Sequence, residues 1–217
     1  MLEGRSRQVG AAARVDGQAM IESSAEFSTC GRYRYVLTRI WRERRPIVLF
    51  IGLNPSTADA KRDDPTIRRC IGFARRWRCG GVAIVNLFAY RATDPRDLFR
   101  VADPVGSYND AAILAASGRA DQIIAAWGRH GRYLGRDAAV LNLLDRADCL
   151  GRNRDGSPRH PLYLPANSRR QSYRFSNHAP LRRIRVAANR ADVHRPQADS
   201  LSFPRLCRSA LTCTRSF

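Results

Sequence analysis

Three short apolar runs constrain the fold of this chain more than any other feature: "PIVLFIGL" at 46–53, "VAIVNLFAY" at 82–90 and "DQIIAAWG" at 121–128. Each is continuously apolar rather than alternating, which is how a strand covered on both faces reads. Helix-spaced segments separate them. In "DDPTIRRCIGFARRWRCGG", Asp64 can cap and Pro65 suits a first helical turn. Ile67, Cys70, Ile71, Ala74 and Trp77 then recur at helical spacing until Gly80-Gly81. "SYNDAAILAASG" at 107–118 reads as a short helix, and "GRDAAVLNLLDRA" at 135–147 as an amphipathic one with Val140, Leu141 and Leu144 inward. "DCLG" at 148–151 reads as a short fourth strand. This alternation specifies an α/β fold, a three-layer sandwich around a central, mostly parallel four-stranded sheet. "RYRYVLTRIW" at 32–41 alternates instead, and reads as a half-exposed N-terminal strand at the sheet edge.

The flanks lack any such period. Residues 1–26 are small and polar and read as a disordered extension; residues 168–217 are rich in Arg, Ser and Pro and read as a basic disordered tail. One α/β domain over 27–167 is therefore expected.

The chain carries 38 Lys+Arg against 19 Asp+Glu, a net charge of +19, with Lys61 as its one lysine. The segment from Ser168 holds 11 Arg against Asp192 and Asp199, which leaves +10 for residues 1–167. A basic domain of this kind favours a polyanionic partner such as DNA, or a ligand that contains a nucleobase. No run approaches the roughly 20 apolar residues of a membrane span, and no apolar leader is evident, so the chain reads as cytoplasmic with reduced thiols. Its six cysteines form no C-x-x-C pair; buried structural thiols are the expectation, and no metal or cofactor is called for.

In parallel α/β sheets ligands bind beyond the carboxyl ends of the strands, so the strand exits carry the functional reading. The first exit is Gly52-Leu53-Asn54-Pro55-Ser56-Thr57. Gly52 permits close backbone approach, and Pro55 pushes Asn54 into an extended conformation, so the amide is either part of a plain turn or a rigid ligand contact. The second exit carries Asn86 in an apolar strand, followed by Tyr90-Arg91. A buried amide must be hydrogen-bonded, so Asn86 either braces a loop or reads a ligand edge. The third is Trp127-Gly128-Arg129-His130-Gly131, where His130 reads first as a surface histidine. The fourth is His160-Pro161-Leu162-Tyr163-Leu164, a proline-braced imidazole followed by an apolar wedge.

These four exits, in this order, resemble the uracil-DNA glycosylase superfamily. The pattern there is G-[QIE]-[DNA]-P, an apolar strand carrying Asn, a strand ending near W-G-x-H-[AG], and H-P-S-P-L. More closely, "FIGLNPSTAD", "DDPTIRRC", "VNLFAYRATDP", "AAWGRHG" and "DGSPRHPLYLP" resemble a bacterial and phage family classed as domain of unknown function 1643, over about residues 27–166. The glycosylase resemblance implies that Asn54 positions an attacking water and that His160 stabilises charge on a departing base; these are the candidate catalytic residues. It implies that Asn86 reads the base and that Leu164 enters the duplex when a base is flipped. Gly52, Pro55, Ser56, Arg91, Trp127 and His130 complete the candidate binding set. The chain departs from the pattern at Asn54, an amide that cannot act as a general base, and at Leu162-Tyr163, which replace Ser-Pro. Ile67 lies where a base-stacking aromatic is expected.

Two other classes stay open. A hydrolase of small nucleosides or nucleotides could use Asp59, Asp63, Asp64 and Asp94, although these acids also read as helix and turn caps. A non-catalytic nucleic-acid-binding module could use Arg91, Arg129, Arg132 and Arg159.

Overall fold

The computed structural model describes residues 4–10, 14–15, 18–19 and 21–173. Its strands are β1 (Arg5–Val9), β2 (Arg14–Val15), β3 (Gln18–Ala19), β4 (Glu22–Ser28), β5 (Arg34–Ile40), β6 (Ile47–Gly52), β7 (Gly81–Asn86), β8 (Gln122–Ala125), β9 (Asp148–Cys149) and β10 (Gln171–Ser172). Its α-helices are α1 (Pro65–Arg76), α2 (Asn109–Ser117) and α3 (Arg136–Asn142). Eight strands form one sheet in the order β1-β4-β5-β7-β6-β8-β9-β10, and β2 and β3 pair separately.

The chain is α/β, but the sheet is larger and more mixed than a four-stranded parallel one. Four of its seven pairings are antiparallel, on the two flanks; β7-β6, β6-β8 and β8-β9 are parallel. The continuous apolar runs are explained by burial on both faces. Val48 and Phe50 of β6 pack with Ile67, Cys70, Ile71, Phe73 and Ala74 of α1. Leu49 and Ile51, pointing the other way, pack with Ile113 of α2 and Val140 of α3. Asp64 accepts from Ile67 N at 2.9 Å and Pro65 opens α1, so the cap and the helix start together.

Three expectations about the flanks need correction. β5 is not an edge strand: β4 pairs along its outer side and β1 pairs beyond β4. The segment expected to be disordered up to residue 26 therefore contributes β1 and most of β4 to the large sheet, besides the β2-β3 pair. Its serines are held by polar contacts that an apolar-period reading does not register; buried Ser23, for example, donates to Ala60 O at 2.6 Å. At the other end the domain runs past 167, because β10 pairs with β9 and Tyr173 is buried edge-on against Trp127. The rest of the expected tail, 174–217, lies outside the described residues. Among the described residues no helix is long and apolar enough to cross a membrane.

One irregularity positions the site. Phe27 of β4 pairs with Arg34 and Glu26 pairs with Val36, which leaves Tyr35 as an extra residue in β5. Arg34 and Arg39, five residues apart, would face opposite sides of a regular strand. The bulge brings both under the segment 58–63: Arg34 Nη1 donates to Ala58 O at 2.8 Å, and Arg39 pairs with Asp63 at 2.9 Å.

Candidate functional site

The ends of β6, β7 and β8 open onto one cavity of about 700 Å³. Gly52, Asn54, Ser56, Asn86, Trp127, His130 and His160 all line it. The exits are tied to one another by backbone bonds. Leu87 N and Phe88 N donate to Gly52 O and Leu53 O, both at 2.9 Å, and Gly128 N donates to Pro158 O at 3.0 Å. Gly128 makes that last link with φ at +74°, a conformation that favours glycine.

Asn54 and Asn86 are held in opposite senses. Asn54 Nδ2 donates to Ala92 O at 2.7 Å and Pro55 O at 3.1 Å, fixing the exit loop against the segment after β7. Among the described residues no donor meets its Oδ1, and Asn54 lines the cavity. Asn86 is buried, and its Oδ1 accepts from Arg34 Nη2 at 3.3 Å. Its Nδ2 lies over Gly52, where a Cβ would stand 2.7 Å away, so the glycine makes the room the amide occupies. The bracing of the second exit falls to a different amide: buried Asn109 donates to Asn86 O at 3.0 Å and Leu87 O at 2.9 Å.

His160 opens a short 3-10 turn, Pro161–Tyr163, and its Nδ1 accepts from Leu162 N at 3.3 Å. With Nδ1 so used, the proton of the neutral ring sits on Nε2. Burial lowers its pKa and outweighs the opposing charge of Asp64, so the ring is neutral at pH 7. Trp127 is 1% exposed and its ring lies directly over Gly131, where a Cβ would stand 2.1 Å from the indole. His130 is exposed at the rim, edge-on to Phe99. Ile67 lines the wall where an aromatic was expected.

Three of the expected residues stand elsewhere. Leu164 is 5% exposed and packs in the apolar cluster with α1, while Arg69 holds its carbonyl, so it does not line the cavity. Leu162 and Tyr163, the latter 73% exposed, are the apolar residues that project at the cavity mouth. The 3-10 turn causes the exchange by rotating Leu164 inward. Pro55 is buried and offers the cavity no surface. Arg91 donates to Gly31 O at 3.1 Å and stacks over Phe27, lining a smaller neighbouring pocket instead.

Among the lining residues outside the expected binding set, two are charged groups set against the amides: Arg34 and Asp64. Arg34, read as a solvent-facing position of an alternating strand, is 2% exposed on the cavity floor. Burial pulls its guanidinium down to about 10, and it stays charged at neutral pH. Asp64, read mainly as a cap, is the one carboxylate among the described residues that lines the cavity. Capping uses its Oδ1, and among the described residues no donor meets Oδ2. The other acids serve local structure: Asp59 accepts from Lys61 N and Arg62 N, Asp63 pairs with Arg39, and Asp94 caps the turn at Pro95. Cys70 also lines the cavity, with burial pushing its thiol up and out of the reactive range.

No curated protein and no solved structure matches the chain. A family model does match, over residues 34–162, and that span covers the strands and exits that build the cavity. The chain belongs to the family described as protein of unknown function (DUF1643).

Proposed function

We propose that the cavity receives a nucleobase extruded from DNA, and that the protein is a glycosylase-like hydrolase acting on the bond between base and sugar. One observation carries this reading. A donor amide at Asn86, a neutral imidazole at His160 and an acceptor amide at Asn54 line a single cavity of about 700 Å³, roomy enough for a base and its sugar. The parallel strands β7-β6-β8-β9, with the four motifs at their exits, support the distant likeness to the uracil-DNA glycosylases.

The chemistry follows from these groups. Asn86 Nδ2 and its neighbouring oxygen address the edge of the base. As the bond to the sugar breaks, its electron pair moves onto the base. His160 Nε2–H donates to the oxygen where that charge collects, and a neutral imidazole does so without giving up its proton. Water attacks the sugar carbon left electron-poor. Asn54 Oδ1 orients that water but cannot take its proton; the carboxylate of Asp64 can. Leu162 and Tyr163 at the mouth supply the apolar surface that fills the space the base leaves. Arg129 and Arg159, exposed on the cavity wall, meet the phosphates.

A second reading, a non-catalytic base-binding module, is favoured by one fact: position 54 is an amide. The test is base release from oligonucleotides containing uracil or a mismatch, using the full-length chain. Release that disappears in both Asn54→Ala and His160→Ala supports hydrolysis. Binding with a steep salt slope and no release favours the module. No release and no binding at low salt overturns both.

A further inference from the structure

We infer that the end of the sheet opposite the cavity carries a second surface for nucleic acid: the turns 41–46 and 77–80, together with the last turn of α1, grip the phosphate backbone of duplex DNA. The nucleobase reading above enters only in naming DNA as the duplex.

The chain concentrates cations here. Residues 42–45 and 75–78 hold six arginines against one carboxylate, Glu43. Arg42, Arg44, Arg45, Arg76 and Arg78 are exposed. Other arginines find acids: Arg39 pairs with Asp63, Arg96 with Asp94, Arg100 with Asp97 and Arg136 with Asp110. Among the described residues none of the five forms an ion pair. They repel one another with no internal counter-charge, and a polyanion relieves that repulsion.

The two turns form one rigid unit. Trp41 N and Arg42 N donate to Gly80 O at 2.8 and 3.0 Å, and Gly80 N returns a bond to Pro46 O at 2.8 Å. Buried Trp41 donates through Nε1 to Cys79 O at 3.0 Å, and Arg75 stacks over its ring. A Cβ at Gly80 would stand 2.2 Å from Arg42 O, so the glycine lets the turns meet. Arg44 and Arg78 have φ of +58° and +59°. Arg78 follows the C-cap of α1, where helices favour glycine. A side chain with a Cβ meets a steric cost in this left-handed conformation that glycine avoids. Backbone geometry alone would therefore place glycine at both positions, and the chain places a cation at each.

The surroundings select the polyanion. A membrane-binding surface adds an apolar side chain that enters the lipid, and a protein interface centres on an apolar or aromatic anchor. None of the exposed large apolar side chains among the described residues lies in these turns. Repeated phosphates need only the cations. β6 spans six residues, about 20 Å, between these turns and the cavity, so a straight duplex that meets one does not meet the other.

The test compares full-length wild type with Arg44→Gly/Arg78→Gly for binding to a fully matched DNA duplex over a salt series, with the melting temperature of each. Glycine suits both left-handed positions, so the variant should melt at or above the wild-type temperature. The slope of log affinity against log salt should nevertheless shrink by about 2, one for each lost arginine. The rest of the chain is common to both proteins, so the difference in slope reports these turns. An unchanged slope in the folded variant overturns the surface. An unchanged slope with weaker binding to vesicles of equimolar phosphatidylserine and phosphatidylcholine also overturns it, and assigns the turns to a membrane. Should the variant not fold, Arg42→Gln/Arg45→Gln reads the same slope without touching either left-handed position. The matched duplex offers no base for release, so a reduced slope stands even where the base-release experiment fails. An unchanged slope beside base release removes this surface alone.

Discussion

Asn54 and Asn86 stand at the exits of adjacent parallel strands, are the same residue type, and face one cavity with opposite chemistry. Asn54 spends its donors on the backbone at Pro55 and Ala92 and keeps its oxygen. Asn86 spends an oxygen lone pair on Arg34 and keeps its nitrogen. The difference lies outside the two residues. Beyond β6 the chain presents bare carbonyls, which only a donor can satisfy; beside β7 it presents a buried cation, which only an acceptor can. An amide in a strand exit therefore has no functional sense until its neighbours set its orientation. On this account one amide holds water and the other reads the base.

The largest expected effect tests the side of the site that Asn54 leaves incomplete. An amide can orient water but not deprotonate it, so Asp64 should carry the proton. Asp64→Asn keeps an N-cap of equal quality, so the melting temperature should stay where it is while base release falls roughly 100-fold or more. Equal loss of stability and release would return Asp64 to a purely structural role.

Next in size is a contrast in stability. Asn54→Asp sets a carboxylate against two carbonyls and should cost about 1–3 kcal/mol in urea unfolding. Asn86→Asp gives Arg34 a carboxylate and should stay within about 1 kcal/mol of wild type. It should nevertheless lose the uracil oligonucleotide, because no donor then faces the base. Similar destabilisation of both variants would show that the two amides are not held in opposite senses.

The smallest effect is on pH. His160 has a folded-state pKa below its ordinary 6.5, with burial as the main cause. Its stabilising contribution is therefore complete above about pH 6.5 and declines as the pH falls through the lowered value, because the unfolded chain binds the proton more tightly. The fall in melting temperature from pH 7 to pH 5 should be shallower in His160→Gln than in wild type. A steeper fall in the variant would mean the ring is not held neutral.

The parts of the fold legible in the sequence are those whose burial is uniform. β6, β7 and β8 are covered on both faces and so read as unbroken apolar runs, and Asp64-Pro65 marks the start of α1 by chemistry that is local in sequence. β4 was illegible because polar contacts hold its serines, and Arg34 because the Tyr35 bulge turns a polar position of an alternating strand into the cavity. Seven of the expected site residues line the cavity because motif order follows strand order; Leu164 does not, since a single 3-10 turn decides which of three consecutive apolar residues points out. Asp64 shows the limit from another side. Its cap was readable, but its free oxygen faces a cavity that only long-range contacts create.

The most direct measurement follows the side-chain amide resonances of Asn54 and Asn86, assigned by substitution, in 15N-labelled full-length protein titrated with the uracil-bearing oligonucleotide. The account predicts a large, saturable shift of the Asn86 Nδ2–H2 pair and a small one for Asn54, whose N–H groups already face backbone carbonyls. Saturable binding that moves the Asn54 pair and leaves Asn86 unshifted would contradict it.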